Sequence, residues 1–167
     1  MKRNIFLLAI VPVVLFIINC DSKDRQLREA LAQHAYEIGF VDGMIFTMEA
    51  AAGFLAGTLS SSEIDVEFEA LDSWRNNGVR TLALFCDSAG LVLDSSLSNA
   101  LQGVYRLAFS DGIREGDRYV REEILGDDTT KPKLNEQELA KASFKAARMD
   151  YISLLEEVDL KRKPRNP

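Results

Sequence analysis

Apolar residues return every three or four positions along most of the chain, the spacing that lines one face of an α-helix. The first such pattern predicts a long helix over residues 23–58. A second pattern starts at Ser60, which fits a capping box with Glu63, and "NNG" at residues 76–78 then predicts a turn. Amphipathic helices joined by short connections bury their apolar faces against one another, so these patterns indicate a helical bundle.

The second half of the chain continues the helical spacing. One long pattern begins after residues 95–98, and a last one begins at Asn135, which fits a capping box with Glu138. The polar stretch "GDDTTKPK" between these two patterns predicts a loop. We therefore predict a mainly α fold, in which residues 20–160 form a single bundle of about four to five helices.

Residues 79–93 carry two competing patterns. Leu82, Phe85 and Cys86 fit one face of a helix, whereas "DSAG" between two apolar runs is typical of a hairpin turn. The phrase "GVRTLALFCDSAGLVLDSS" is similar to the first hairpin of roadblock-type α/β domains, a fold that needs further strands than this sequence offers. Because Leu and Ala favour helices and β-branched residues are few, we predict a helix, with a short β-hairpin at 79–93 as the alternative.

Residues 5–18 differ from the rest of the chain because every position is apolar, and not only those on one helix face. Lys2 and Arg3 are the only charged residues among the first twenty. A basic start followed by a short apolar core is typical of a signal peptide, whereas a membrane-spanning helix needs about 20 apolar residues. An uncleaved signal anchor and a buried core helix are the alternatives.

The apolar stretch ends in "FIINC", which resembles the lipobox of bacterial lipoproteins, although Asn19 stands where the common box has Gly or Ala. The resemblance covers residues 1–20 and implies that the signal peptide, residues 1–19, is removed. It also implies that Cys20 carries diacylglycerol and an N-acyl chain such as palmitate, so that the protein is anchored to the cell membrane and faces the periplasm or the exterior. Asp21 resembles the signal that retains lipoproteins at the inner membrane.

The charge balance narrows the choice of partners. Loss of residues 1–19 leaves 148 of the 167 residues and shifts the formal net charge from −6 to −8, because Lys2 and Arg3 are lost. We expect no binding to nucleic acid, whose phosphates require clustered Lys and Arg. Basic residues do cluster at the C-terminus, where we predict that residues 161–167 form a flexible basic tail.

Two segments, "QHAYEIGFVDGM" at 33–44 and "QGVYRLAFSDGI" at 102–113, align without gaps and share five residues. Small residues four positions apart share one helix face and let another backbone approach closely. We therefore predict that two long helices cross at these segments, and that the same residues are a candidate interaction surface. The positions concerned are Tyr36, Gly39, Phe40, Asp42 and Gly43 in the first segment, and Tyr105, Phe109, Asp111 and Gly112 in the second.

The repeat also suggests a candidate site, since Asp42 and Asp111 would both lie near the crossing. Together with His34, Tyr36 and Tyr105 they would line an interhelical cleft able to bind a small ligand or support catalysis. The alternative is that each carboxylate is exposed or hydrogen-bonded to a neighbouring helix, because charged residues are rarely buried without a partner.

Other chemistry is poorly represented in the sequence. His34 is the single histidine, whereas a di-iron bundle needs a Glu-x-x-His pair on each of two helices. Cys86 lies in an apolar setting, where a buried thiol is expected rather than a nucleophile. We therefore predict no catalytic or metal-binding residues and no cofactor other than the lipid at Cys20.

These observations favour a non-catalytic protein-interaction module, of the inhibitor or immunity type, that binds another envelope protein or an incoming foreign protein. "AYEIGFVDG" resembles the Gly-[Tyr/Phe]-x-x-Gly element of small periplasmic immunity proteins, although the cysteine-paired C-terminal part of that family has no counterpart here. The alternative function is a small-ligand-binding or enzymatic helical domain that uses the cleft around Asp42 and Asp111.

Overall fold

A computed structural model describes residues 4–56, 66–124 and 135–164 of the chain. Side chains are described from residue 23 onwards, except at 54, 66–68, 123–124 and 147–149. The side chains of the predicted signal peptide, of Cys20 and of Asp21 therefore lie outside the described parts, as do the Ser60 capping box and the "GDDTTKPK" loop. Where side chains are described, no helix is long and apolar enough to cross a membrane.

The described chain is helical almost throughout, which confirms the prediction of a mainly α bundle. Two of its segments are π-helical turns, in which the helix is locally wider than an α-helix. The elements are α1 (Asn4–Leu55), α2 (Val66–Ser73), a π-helical turn (Trp74–Gly78), α3 (Val79–Ser88), α4 (Ser95–Tyr119), a second π-helical turn (Val120–Ile124) and α5 (Glu136–Glu156).

Residues 66–88 form one continuous helical run, so the turn predicted at residues 76–78 is wrong. Ser73 and Val79, which flank the first π-helical turn, both have right-handed helical backbone angles. A Cβ on Gly78 would lie 2.5 Å from Cε3 of Trp74, so the missing side chain makes room for this buried indole. Packing of Trp74 within the helix outweighs the turn preference of the neighbouring asparagines.

All of residues 79–93 are described, and they form a helix up to Ser88 rather than a hairpin. Gly90 ends the helix with a φ of 67°, a left-handed conformation that costs glycine little because it has no Cβ. Leu91 then forms an isolated antiparallel bridge with Arg162, near the C-terminus. Leu91 therefore pairs with a residue near the end of the chain and not with residues 79–88, as a hairpin would require.

The central feature of the bundle is the contact between α1 and α4, which run in the same direction. Gly39 lies against the backbone of Tyr105, and Gly116, further along α4, lies against Thr47, further along α1. The core is built around this contact and is rich in aromatic residues. Tyr36, Phe40, Tyr105 and Phe109 are each at most 2% exposed.

The remaining helices cover the two flanks of the α1–α4 pair. On one flank, residues 66–88 run opposite to α1, and Trp74 packs against Tyr105 with ring centroids 5.2 Å apart. On the other flank, α5 places Phe144 and Tyr151 against Tyr36, at centroid distances of 5.6 and 4.7 Å. The α1–α4 pair therefore has two different environments on its two sides.

The segment after α5 folds back onto the bundle. The Val92 N–H donates to the Lys161 carbonyl at 2.8 Å, and the Lys163 N–H donates to the Gly90 carbonyl at 2.8 Å. Residues 161–164 thus differ from the predicted flexible tail, because backbone hydrogen bonds hold them in place, while residues 165–167 lie outside the described parts. Three ion pairs also hold this segment: Lys161–Asp94 and Lys163–Asp87 join it to the region around Gly90, and Arg162–Asp24 joins it to α1.

Candidate functional site

The repeated segments meet at the crossing of α1 and α4, and glycines make the close approach possible. A Cβ on Gly43 would lie 3.0 Å from the backbone nitrogen of Ile113, and one on Gly112 would lie 2.9 Å from the backbone carbon of Phe40. Real Cβ atoms are rarely this close to backbone atoms of another helix. The structure therefore brings the two helices together at the residues that the repeat singles out.

Two reciprocal hydrogen bonds span this crossing. The Tyr36 hydroxyl donates to Oδ2 of Asp111 at 3.3 Å, and the Tyr105 hydroxyl donates to Oδ2 of Asp42 at 3.0 Å. Tyr36 and Tyr105 are equivalent positions of the repeat, as are Asp42 and Asp111. Exchanging α1 and α4 therefore exchanges one bond for the other, so the crossing has approximate two-fold symmetry.

These bonds give both phenols and both carboxylates a partner. A buried hydroxyl without a partner is costly, whereas a hydrogen bond to a charged group contributes about 1.5–3 kcal/mol to stability. Each aspartate binds the opposite helix, as the alternative interpretation of these residues predicts. Asp42 and Asp111 have different neighbours on the two flanks of the crossing and do not converge on one cleft with His34.

On the flank covered by residues 66–88, Asp42 is enclosed by polar and aromatic groups. Burial raises the pKa of Asp42, and hydrogen bonds from Tyr105 and Asn77 partly offset that rise. Burial, together with the nearby Asp42 charge, also raises the pKa of the Tyr105 phenol. Trp74 packs on the ring of Tyr105. These contacts stabilise the half-buried Tyr105–Asp42 bond on this flank.

On the flank covered by α5, Asp111 accepts a second phenol and an ion pair. The Tyr151 hydroxyl donates to the same Oδ2 as Tyr36, and Arg114 binds the other oxygen, Oδ1. Burial raises the pKa of both tyrosines, with the Asp111 carboxylate adding to the effect. Three side chains therefore donate hydrogen bonds to this one carboxylate.

A cavity of about 270 Å³ lies beside Asp111. Aromatic faces, two carboxylates and a guanidinium share its wall, so it could hold a small molecule that has both an apolar part and a polar group. Arg114 pairs with Asp111 and Glu115 pairs with Arg118, however, so each charged group in the wall already has a partner. The lining residues are Tyr36, Phe40, Asp111, Arg114, Glu115, Ser143 and Ala146.

The two residues considered for nucleophilic chemistry have separate surroundings. His34 is exposed and packs on Phe85, with ring centroids 4.5 Å apart. Cys86 is 1% exposed, and burial together with the neighbouring Asp87 charge raises the pKa of its thiol. A reactive cysteine needs a lowered pKa, so Cys86 is a buried thiol, as the sequence predicts.

Sequence reasoning missed the residues that complete the two flanks. Tyr151 and Arg114 contact Asp111, while Trp74 and Asn77 approach the Tyr105–Asp42 bond. Apart from Arg114, which directly follows the second copy, these residues lie far from the repeat. The sequence contains one indication of Tyr151, because this residue directly precedes Ile152, which lies on the predicted apolar face of the last helix.

Within the described residues, no group of three or more His, Cys, Asp or Glu side chains is placed to hold a metal ion. No known protein family, curated protein or solved structure matches this chain.

Proposed function

We propose that this protein is a membrane lipoprotein whose helical body is a non-catalytic binding module of the cell envelope, of the inhibitor or immunity type. Its lipid would be attached at Cys20, and it would face the periplasm or the exterior, with Asp21 favouring retention at the inner membrane. The observation that carries the proposal is the apolar stretch ending in "FIINC", directly joined to a helix that enters the core of the bundle.

The connection between anchor and body supports a partner at the membrane surface. α1 continues through residue 20 as far as Leu55, and Leu31 is already fully buried in the core. At about 1.5 Å per residue, Leu31 lies only about 16 Å along the helix from Cys20. A helix is stiffer than a Gly- or Ser-rich linker, so the body would be held close to the bilayer and would not reach across the envelope.

The Tyr–Asp bonds support a binding scaffold rather than an enzyme. Asp42 and Asp111 each accept a hydrogen bond from a phenol of the opposite helix. In these positions they stabilise the packing of α1 and α4. A catalytic carboxylate instead has to reach a substrate atom within hydrogen-bonding distance.

Exposed apolar side chains are the natural contact points for a protein partner. The exposed fractions are 64% for Leu84, 62% for Leu55 and 51% for Leu107. Single exposed apolar residues are common on monomers, but a buried apolar anchor at the centre of an interface often dominates binding. These three positions lie on three different helices, α3, α1 and α4.

The lipid anchor is tested by metabolic labelling with palmitate. We expect the wild-type protein to be labelled and to fractionate with membranes. We expect Cys20→Ser to be unlabelled and to lose its lipid-dependent membrane association. An unlabelled wild-type protein, or a Cys20→Ser variant that fractionates in the same way as the wild type, would contradict the anchor.

The interaction role is tested by photo-crosslinking in intact cells, with a photoreactive amino acid at Leu55, Leu84 or Leu107. We expect at least one position to give a discrete crosslinked protein, and a position on another face to give none. The exposed polar residue Gln137 serves as a control for random collisions. The absence of a specific product at all three apolar positions would count against a binding module.

A second candidate function, small-ligand binding, is favoured by the cavity beside Asp111. Ala146 lines this cavity, so Ala146→Leu should reduce its volume. If the cavity holds a ligand in the cell, native mass spectrometry of the wild-type protein will show an added mass that Ala146→Leu lacks. Identical spectra of ligand-free protein for both would argue against this function.

A further inference from the structure

We propose that one pole of the bundle faces the membrane and binds the headgroups of anionic phospholipids. We call this pole the base, and it consists of residues 23–28, 87–94 and 156–164. The inference rests on the proposed lipidation of Cys20, because the lipid determines which pole is next to the bilayer. It goes beyond that proposal because it assigns a second, electrostatic contact with the membrane to residues outside the signal sequence.

The base lies immediately beyond the proposed anchor. Asp24 is four residues after Cys20 in α1, a rise of about 6 Å. The guanidinium of Arg162 lies 2.6 Å from Oδ1 of Asp24. The headgroup region on each side of a bilayer is about 5–7 Å thick, so a lipid on Cys20 would bring Arg162 to the level of the headgroups.

The basic residues of the C-terminal segment project from a backbone that is already fixed. Two backbone hydrogen bonds join Lys161 and Lys163 to the connection between α3 and α4. Arg28 of α1 donates to the carbonyl of Val158 at 2.7 Å and also to that of Leu155, so it attaches the end of α5 to the same pole. Such preorganisation lowers the entropic cost of binding.

The distribution of charge orients the molecule. Within the base, six basic residues are balanced by six acidic ones, so its formal charge is zero, whereas the chain from Cys20 onwards carries −8. The whole negative excess therefore lies outside the base, and an anionic bilayer would repel the rest of the body. The charged residues of the base are Lys23, Asp24, Arg25, Arg28, Asp87, Asp94, Glu156, Glu157, Asp159, Lys161, Arg162 and Lys163.

The ion pairs at the base leave basic groups accessible to phosphates. The Lys161 side chain is 57% exposed and that of its partner Asp94 only 21%, while Arg162 and Asp24 are exposed to 52% and 47%. In the third pair, Asp87 is more exposed than Lys163. Exposed ion pairs are individually weak, so headgroup phosphates can share these cations without a large loss of stability.

The test uses the full chain extracted from membranes and reconstituted into phosphatidylcholine vesicles with or without phosphatidylglycerol. A fluorophore is attached at Pro164→Cys in the base or at Ala52→Cys near the other end of α1, both in a Cys86→Ser background. Lipids carrying a spin label on the headgroup quench the fluorophore when it lies near the membrane surface. Intact mass measured on the same samples reports separately whether Cys20 is acylated.

We expect the label at 164 to be quenched at least about twofold more than the label at 52. Quenching at 164 should also increase with phosphatidylglycerol, because the electrostatic attraction of anionic lipids acts only within about 10 Å of the surface. The triple variant Lys161→Glu, Arg162→Glu, Lys163→Glu should weaken quenching at 164 by at least about fivefold, because about fivefold is expected for the loss of even one basic headgroup contact. The matched control Arg75→Glu, Arg118→Glu, Arg121→Glu changes the net charge equally but lies outside the base, so it should leave quenching unchanged.

A milder variant, Lys161→Gln with Lys163→Gln, removes charge without placing acids beside Asp94 and Asp87, and should weaken quenching by a smaller factor. An acylated protein with no preferential quenching at 164 would overturn the inference and leave the anchor intact. Equal losses for both triple variants would also overturn it, because the effect would then follow net charge and not position. A protein that carries no lipid would instead overturn the proposed function.

Discussion

The two Tyr–Asp bonds at the helix crossing are equivalent in sequence but differ in their surroundings. The Tyr105–Asp42 bond is closed in by Trp74 and by hydrogen bonding from Asn77. The Tyr36–Asp111 bond gains a second phenol from Tyr151 and an ion pair, and a cavity opens beside it. The comparison separates two contributions, because repeated residues determine how the helices cross and unrepeated ones determine what covers each side.

This difference indicates where a ligand or partner could influence the crossing. The Asp42 flank is filled by residues of the continuous helical run 66–88, so it serves packing. The Asp111 flank borders a cavity that reaches Ala146 of α5, so a molecule bound there would touch one bond and not the other. The two flanks can be tested separately by substitutions at equivalent positions of the repeat.

The largest effect is expected at the close backbone contact between α1 and α4, which lies between the two flanks. Gly112→Leu should lower the free energy of unfolding by about 3 kcal/mol, the upper end of overpacking costs, because the new side chain meets backbone that cannot rotate away. Gly103→Leu is the matched control on the same helix and should be nearly neutral, because a Cβ on Gly103 would meet no atom within 4 Å. Urea denaturation measures both, and equal stability of the two variants would mean that the helices do not cross at Gly112.

The next largest effect compares the two phenols directly. Tyr105→Phe should cost about 2 kcal/mol, because the half-buried carboxylate of Asp42 loses its hydrogen bond from Tyr105. Tyr36→Phe should cost only about 1 kcal/mol, because Tyr151 and Arg114 still bind Asp111. Urea denaturation of both variants and of the double variant tests this order. A larger loss for Tyr36→Phe would contradict the proposed difference between the flanks.

The pH dependence of stability provides a third comparison. The pKa of Asp42 is raised above its ordinary value of 3.8, so the folded state binds this proton more tightly than the unfolded state does. Its contribution to stability is therefore present at low pH and is lost as the pH rises above 3.8 towards the raised pKa. We expect Asp42→Asn to gain stability relative to the wild type over that range, measured by urea denaturation at a series of pH values.

Asp94 is the control for the sign of this effect. The backbone N–H of Leu97 and then Lys161 lower the pKa of Asp94, which caps α4, so its contribution is present above pH 3.8 and is lost as the pH falls through the lowered pKa. Asp94→Asn should therefore change the pH dependence in the opposite direction. If Asp42→Asn and Asp94→Asn change it in the same direction, the burial assigned to Asp42 is wrong.

The smallest effect is expected in the cavity on the Asp111 flank. Ala146→Leu should change the free energy of unfolding by less than about 0.5 kcal/mol, because the added methyl groups enter open space. Thermal unfolding of the variant next to the wild type is sufficient to measure it. A loss of more than about 2 kcal/mol would be typical of overpacking and would mean that the flank is closed.

The helix crossing could be predicted from the sequence because the repeat contains its physical requirements, small residues four apart next to an aromatic residue and an acid. The flanks could not be predicted, because Trp74 and Tyr151 become partners only after distant helices dock. The turn expected at residues 76–78 was wrong for the same reason, since Gly78 serves the packing of Trp74 within a continuous helix. Local turn preference was overridden by burial of one large side chain.

The C-terminal segment is a second region whose contacts could not be predicted from local sequence patterns. A run of basic residues at the end of a chain is usually solvated, and this run gives no local sign of a partner. Its backbone nevertheless pairs with residues near Leu91, and its side chains meet three aspartates from two other parts of the chain. Contacts of this kind depend on the complete fold, because the partners are more than 60 residues away in sequence.

The most direct test of the central claim, that a rigid helical body is attached to the membrane through Cys20, is the intact mass of the protein extracted from membranes. We predict a chain of 148 residues that begins at Cys20 and carries the added mass of diacylglycerol and an N-acyl chain. A mass equal to that of the unmodified 167-residue chain, or of a shorter chain without lipid, would contradict it.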